Sequence, residues 1–204
     1  MQALFVHGMG RSPISGWRLL ARLRAHGIHT HTLGYVATFQ SAASIRKRLV
    51  ARIEALATHG DYVLIGHSLG GVLLRAAVAA LPPGTPLPRR IFLLGSPIQP
   101  SCLAQKLRRN WLFRALAGDC GQLLASPSRM AEIGAGLVPT ISMVGVSGWT
   151  GRLSPFKDEA NDGLVSVAEA SAEWVSETIR IPAWHTYLPS NKQIAQLILE
   201  RISQ

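Results

Sequence analysis

The sequence predicts an α/β domain, with a parallel β-sheet covered by helices on both faces. Three observations carry this expectation. Short apolar runs such as Val63-Leu64-Ile65 and Ile91-Phe92-Leu93-Leu94 lack the alternation of a half-exposed strand and suit a sheet buried on both sides. Between them lie stretches whose apolar residues recur at helical spacing. Strand alternating with helix then implies right-handed crossovers and a parallel sheet, whose sites lie at the carboxyl ends of the strands.

Taken in order, Ala3-Leu4-Phe5-Val6 is the first strand and runs into the glycine turn His7-Gly8-Met9-Gly10. Glycines there let the backbone turn tightly and aim an N–H at a bound molecule. Trp17, Leu20 and Leu23 give a short helical face, with Arg18, Arg22 and Arg24 on the solvent side. Thr30 to Tyr35 reads as the second strand. Ser41 to Thr58 is the clearest amphipathic helix, with Ile45, Leu49, Ile53 and Leu56 on one face and Arg46, Lys47, Arg48 and Arg52 largely on the others.

The stretch from Tyr62 to Leu74 reads as buried strand, sharp turn and buried helix. Leu69, Val72, Leu73, Ala76 and Ala77 keep helical spacing, and the turn is Gly66-His67-Ser68-Leu69-Gly70. A serine in so tight a turn needs bare neighbours two places away on each side, because a Cβ there collides with the adjoining strand or helix. Ser68 would then stand at the sheet's carboxyl edge beside the free N–H groups of a helix start. The plain alternative is that Ser68 is a helix N-cap and no more.

Pro82 to Pro88 ends that helix. Ile91 to Leu94 is the next strand, closed by Gly95-Ser96-Pro97. Residues 98–137 are longer than one crossover needs. Within them Lys106-Leu107-Arg108-Arg109-Asn110-Trp111-Leu112-Phe113-Arg114 mixes cations with large apolar groups. An ordinary surface helix is one reading. A cap or lid-like insertion is the other, with Trp111, Leu112 and Phe113 meeting acyl chains and the arginines meeting lipid headgroups.

Pro139 to Val146 is the following strand, and a loop then reaches Asn161-Asp162-Gly163-Leu164-Val165-Ser166. Ser166 with Glu169 fits a capping box for a short helix through Ala172, Thr178 to Ile181 is the last strand, and Ala183 to Thr186 is a loop. Ser190 with Gln193 fits a second capping box, for a final helix with Ile194, Leu197, Ile198 and Ile202 on its apolar face. No repeat or linker divides the chain, so residues 1–204 are expected to form one domain.

At 204 residues, 48% hydrophobic and 16% charged, the chain is well filled and disorder is disfavoured. No apolar run is long enough to cross a bilayer, and Met1 leads into an apolar strand without a basic segment or cleavage site. A cytoplasmic setting is expected; a secreted chain already relieved of a signal peptide would read the same way. Cys102 and Cys120 match no metal spacing; they could close a loop in an oxidising compartment, and two free buried thiols are the expectation for a cytoplasmic chain. The net charge of +10 favours anionic partners, and an anionic membrane surface or an acidic substrate ranks above nucleic acid, for which no motif is present.

A serine hydroxyl needs a base in reach, and the base needs an acid to hold it. Of seven histidines, His26, His29, His31 and His59 fall near helix ends or an early strand and read as exposed. His67 adjoins Ser68 in the turn and points away from it. His7 suits shaping the pocket's glycine turn, and His185, in a loop beyond the last strand, is favoured as the base. Among the acids, Asp119 lies in the irregular region and Asp158 and Glu159 in a polar loop. Asp162 sits where a turn would fix it and keeps the chain order serine, acid, histidine. Its plain alternative is an Asx-turn residue.

Val6-His7-Gly8-Met9-Gly10, Gly66 to Gly71, Asn161 to Val165 and His185 together resemble the α/β-hydrolase superfamily, in particular its small lipase and esterase branch. The similarity spans nearly the whole chain. It implies a minimal α/β-hydrolase fold of about six parallel strands, since the chain begins at what would be the family's third. It also implies an oxyanion hole from the backbone N–H groups of Met9 and Leu69, and it strengthens Asp162, because the family's Asp-Gly-x-Val loop is similar to residues 162–165.

The expected function is therefore carboxylic-ester hydrolysis through Ser68, His185 and Asp162 on a small-molecule or lipid-like ester, with no metal or cofactor. An acyltransferase using the same three residues, or a non-catalytic lipid-binding protein on the same fold, are the alternatives.

Overall fold

The computed structural model describes residues 1–136 and 138–203. Six strands form one sheet: β1 (Gln2–Val6), β2 (His29–Leu33), β3 (Tyr62–His67), β4 (Arg90–Leu94), β5 (Thr140–Gly145) and β6 (Glu177–Ile181). Their order is β2-β1-β3-β4-β5-β6, and every neighbouring pair is parallel. This is the six-stranded sheet of a minimal α/β-hydrolase fold.

The helices are α1 (Trp17–Ala25), α2 (Ala42–Ala57), α3 (Leu69–Val78), α4 (Cys102–Leu107), α5 (Trp111–Ala125), α6 (Pro127–Glu132) and α7 (Lys192–Ile202). Because side chains alternate along a strand, each central strand feeds two cores. Leu4, Val6, Leu64, Leu73 and Leu93 pack with Ile45, Leu49 and Ile53 of α2. Ala3, Phe5, Val63, Ile65 and Phe92 pack instead with Leu19 and Leu23 of α1 and Ile194 and Ile198 of α7. The unbroken apolar runs of β1, β3 and β4 follow from this double cover. Among the described residues no helix is long and apolar enough to cross a membrane.

Helix starts follow the caps. The hydroxyl of Ser41 accepts from Ser44 N–H to open α2, and Asn110 does the same for α5 through Phe113 N–H. Four details differ from the sequence reading. The second strand stops at Leu33, because Tyr35 turns inward to donate its hydroxyl to His7 O at 2.7 Å. On α1 the apolar face is Leu19, Leu20 and Leu23, while Trp17 lies outside against Arg18. The last helix is capped by Asn191 rather than Ser190, whose hydroxyl donates to Tyr187 O. The Ser166–Glu169 box forms in full, with each side chain accepting the other's N–H, yet the residues after it make turns and no helix.

The segment between β4 and β5, expected from the sequence to be an insertion, holds α4, α5 and α6. Gly118, at φ +53°, kinks α5 into two arms at a point where a side chain would run into the Ala37 carbonyl. The insertion is tied to the body on both sides of that kink. Thr38 donates its hydroxyl to Leu116 O, and the Asp119 carboxylate accepts from Ala42 N–H and pairs with Arg129. Glu169 accepts the Cys102 N–H at the start of α4. Cys102 and Cys120 are both free thiols.

Gly70 packs α3 directly onto the end of β1, where an added Cβ would fall on the carbonyls of Val6 and His7. Neither backbone has room to move without breaking the sheet. Gly70→Ala is expected to cost about 3 kcal/mol, read as a fall in the urea midpoint with an unchanged slope.

Candidate active site

β3 is buried along its whole length and ends at His67. Ser68 then adopts φ 53°, ψ −126°, a conformation that side chains other than glycine rarely hold. Its N–H donates to Leu94 O at 2.9 Å, which locks the turn to β4. Gly66 and Gly70 are bare for the steric reason the sequence implied. Gly71 is a third such position, since a Cβ there would meet the Ser96 side chain. Strain of this kind persists only where the surroundings over-determine it, and it presents the half-buried Ser68 to a cleft.

Asp162 and His185 meet across 23 residues. His185 Nδ1 lies 2.7 Å from Asp162 Oδ2, and both side chains are buried. The other carboxylate oxygen, Oδ1, accepts N–H bonds from Leu164 (3.0 Å) and Val165 (2.8 Å). Asp162 is thus an Asx-turn residue and the partner of His185 at once, one oxygen serving each purpose. The backbones are joined as well, His185 N–H donating to Asp162 O at 2.9 Å. Space for the pair comes from Gly95 at the end of β4. A Cβ there would sit 2.7 Å from Asp162 Oδ2 and 2.9 Å from His185 Nδ1.

Ser68 and His185 line one cleft of about 590 Å³, together with Gly8, Met9 and Gly10 of the turn after β1. Among the described residues the Ser68 hydroxyl makes no hydrogen bond to His185. Such bonds are often long or misaligned before substrate arrives. With Nδ1 committed to Asp162, Nε2 is the ring nitrogen left to serve the cleft. The N–H groups of Met9 and Leu69 find no acceptor among the described residues. For Leu69 the reason is its place in the first turn of a helix. Much of the cleft wall is apolar: Leu103, Leu107, Phe113, Leu116 and Leu124 of the insertion line it together with Leu164 and Val165. Among the described residues no three His, Cys, Asp or Glu side chains converge as metal ligands would.

Three further residues singled out in the sequence do not line the cleft. His7 is buried beneath the glycine turn, stacked on the Tyr35 ring at 4.3 Å; its Nδ1 donates to Gly8 O and its Nε2 accepts from Tyr35 N–H. It supports the turn without lining the cleft. Trp111 and Leu112 are 72% and 49% exposed on the outer side of α5. At 100° per residue, the positions that turn inward are Phe113, Leu116 and Ala117.

His67, set aside in the sequence reading, packs its ring 4.8 Å from the His185 ring and hydrogen-bonds the His185 carbonyl through Nε2 at 3.1 Å. Its position beside Ser68 was legible, but its reach across 118 residues was not. Burial, aided by the neighbouring His185, pushes its proton affinity well below the ordinary value of 6.5. Burial lowers His7 too, against the opposing bond to Gly8 O.

The fold and this site define the class. The sequence pattern of the α/β hydrolase family matches residues 3–198, and the chain belongs to that family. Among solved structures it is similar to the mature lipase BlEst2 of Bacillus licheniformis, at 17% identity and TM-score 0.75, covering 98% of this chain and 91% of the lipase. It also resembles the methylesterase MES16 of Arabidopsis (15% identity, TM-score 0.66, 100% and 99% covered) and the Paleococcus ferrophilus monoacylglycerol lipase (15%, 0.64, 98% and 93%). At such identities the likeness is one of fold. No curated protein matches the chain by sequence.

Proton binding to the two buried rings sets a pH dependence. A histidine with lowered proton affinity in the folded state takes up its proton more readily when unfolded, so its contribution to stability is present above pH 6.5 and is lost as pH falls below it. The urea midpoint should drop between pH 7.5 and 5.5, and His67→Gln, which cannot titrate, should drop less. Equal slopes in the two proteins would refute a neutral, buried His67.

Proposed function

We infer that the protein is a serine carboxylic-ester hydrolase of the esterase and lipase type. The observation that carries this reading is the strained Ser68 on the same cleft as the buried Asp162–His185 pair. In the reaction, His185 Nε2 takes the Ser68 proton as Oγ attacks the ester carbonyl, and Asp162 holds the ring and stabilises its charged form. The N–H groups of Met9 and Leu69 receive the oxyanion, worth about 3 kcal/mol for one such donor. His185 returns the proton to the departing alcohol, and water repeats the sequence on the acyl-enzyme. The half-exposed setting of Ser68 gives water access to that intermediate and supports hydrolysis over transfer to another acceptor.

The insertion supports a lipid-like substrate delivered from an anionic surface. Lys106, Arg108, Arg109 and Arg114 accompany the exposed Trp111 and Leu112 on the outer side of this segment, a mixture that suits the headgroup boundary of a membrane.

Ser68→Ala and His185→Ala should each lower kcat on p-nitrophenyl esters by about a millionfold, and Asp162→Ala by less. Ser68→Ala should also abolish labelling by a fluorophosphonate; undiminished turnover in that variant would end the reading. For the surface, co-sedimentation with anionic vesicles should exceed that with neutral ones and weaken in Trp111→Ala. Equal, negligible recovery on both would remove the membrane contact.

A further inference from the structure

Of the described residues that line the cleft, Arg11 is the one with a fixed charge, and no carboxylate joins it there. The side chain follows directly on the Gly8–Gly10 turn, whose Gly8 carbonyl accepts the Arg11 N–H. Its Nη2 donates to Thr186 Oγ1 at 2.8 Å, one residue past His185. Among the described residues it forms no ion pair. A guanidinium held by one neutral hydroxyl keeps most of its donors free, and Arg11 is an exposed residue on the cleft lining.

The chemistry decides which half of an ester Arg11 meets, and here the argument rests on the serine-hydrolase reading above. The acyl chain belongs against the apolar wall of Leu103, Leu107, Phe113 and Leu124. When the carbonyl–oxygen bond breaks, the leaving alkoxide takes its proton from His185, so the alcohol half must lie beside that ring. Thr186 and Arg11 stand there. The planar fork of a guanidinium matches phosphate oxygens in pairs, and it is more weakly hydrated than an ammonium.

We propose that the preferred substrates are acyl esters of phosphate-bearing alcohols, and that Arg11 selects them by binding the phosphate. The phosphate takes no covalent part: only the acyl carbon–oxygen bond is broken, the acyl group passes to Ser68 Oγ, and the alcohol leaves with its phosphate intact. Arg11 is a specificity residue on the alcohol side, and the insertion determines the acyl side.

The test compares 1-hexanoylglycerol with 1-hexanoylglycerol 3-phosphate. Both are short enough to use as monomers, which keeps surface charge out of the measurement. Wild-type kcat/KM should be about tenfold higher for the phosphate ester. Arg11→Gln should bring the two substrates to about equality, chiefly through KM for the phosphate ester, and Arg11→Lys should fall between. Lys47→Gln, which removes the same charge from the exposed side of α2, should keep the wild-type preference. A wild-type ratio at or below one, or an unchanged ratio in Arg11→Gln, overturns the proposal. Ser68→Ala is run on both esters in parallel: if it turned them over at the wild-type rate, the serine reading itself would have failed, a result separate from either outcome for Arg11.

Discussion

The close approach of α3 to β1 and β3 governs the rest of the molecule. Strand and helix can meet at the angle seen only because Gly66, Gly70 and Gly71 present no side chain where the backbones touch. Once they meet, the single residue between them has to reverse the chain in one step, and Ser68 takes a positive φ that its own Cβ disfavours. The sheet supplies the rigidity that holds this. Ser68 N–H is bonded to β4, and the strands on both sides are buried.

Everything with chemical potential then gathers at one edge because all six strands point the same way. β1 ends in the glycine turn, β3 in Ser68, β4 in Gly95, and the loops after β5 and β6 bring Asp162 and His185. Gly95 shows how tightly the parts depend on one another: it leaves the space in which the carboxylate and the imidazole meet. Asp162 could not wander from that place, since its backbone and one carboxylate oxygen are occupied in holding the 162–165 turn. The two buried histidines beneath, His7 and His67, brace the glycine turn and the His185 loop from inside. Burial keeps them neutral, so they add no charge next to a ring proposed to become cationic.

The insertion divides the cleft's chemistry into two halves. Its inward residues make the wall apolar, and its outward ones are cationic and aromatic together. Arg11 and Thr186 make another part of the lining polar. On the proposed reading, an ester would lie with its chain toward the insertion and its alcohol toward His185.

The class of fold and most element positions were legible in the sequence, since unbroken apolar runs, helical periodicity and the glycines around Ser68 express local steric and solvation demands that act wherever the chain lies. Asp162 and His185 could be singled out from chain order and turn chemistry, and they do meet. Several of the differences involve contacts between distant segments: Tyr35 ends β2 by reaching His7, His67 lies under a residue 118 positions away, and Trp111 and Leu112 turn outward because of where α5 lands. The exchange of Ser190 for Asn191 as the cap is local, settled by Ser190 bonding to Tyr187 O three residues back. The sequence by itself determined which short stretches are strands, which are helices and where the chain must turn sharply, because those outcomes depend on a residue and its near neighbours. Only the tertiary structure decided which side chains share the cleft, because that depends on register and crossing geometry between elements that local patterns do not encode.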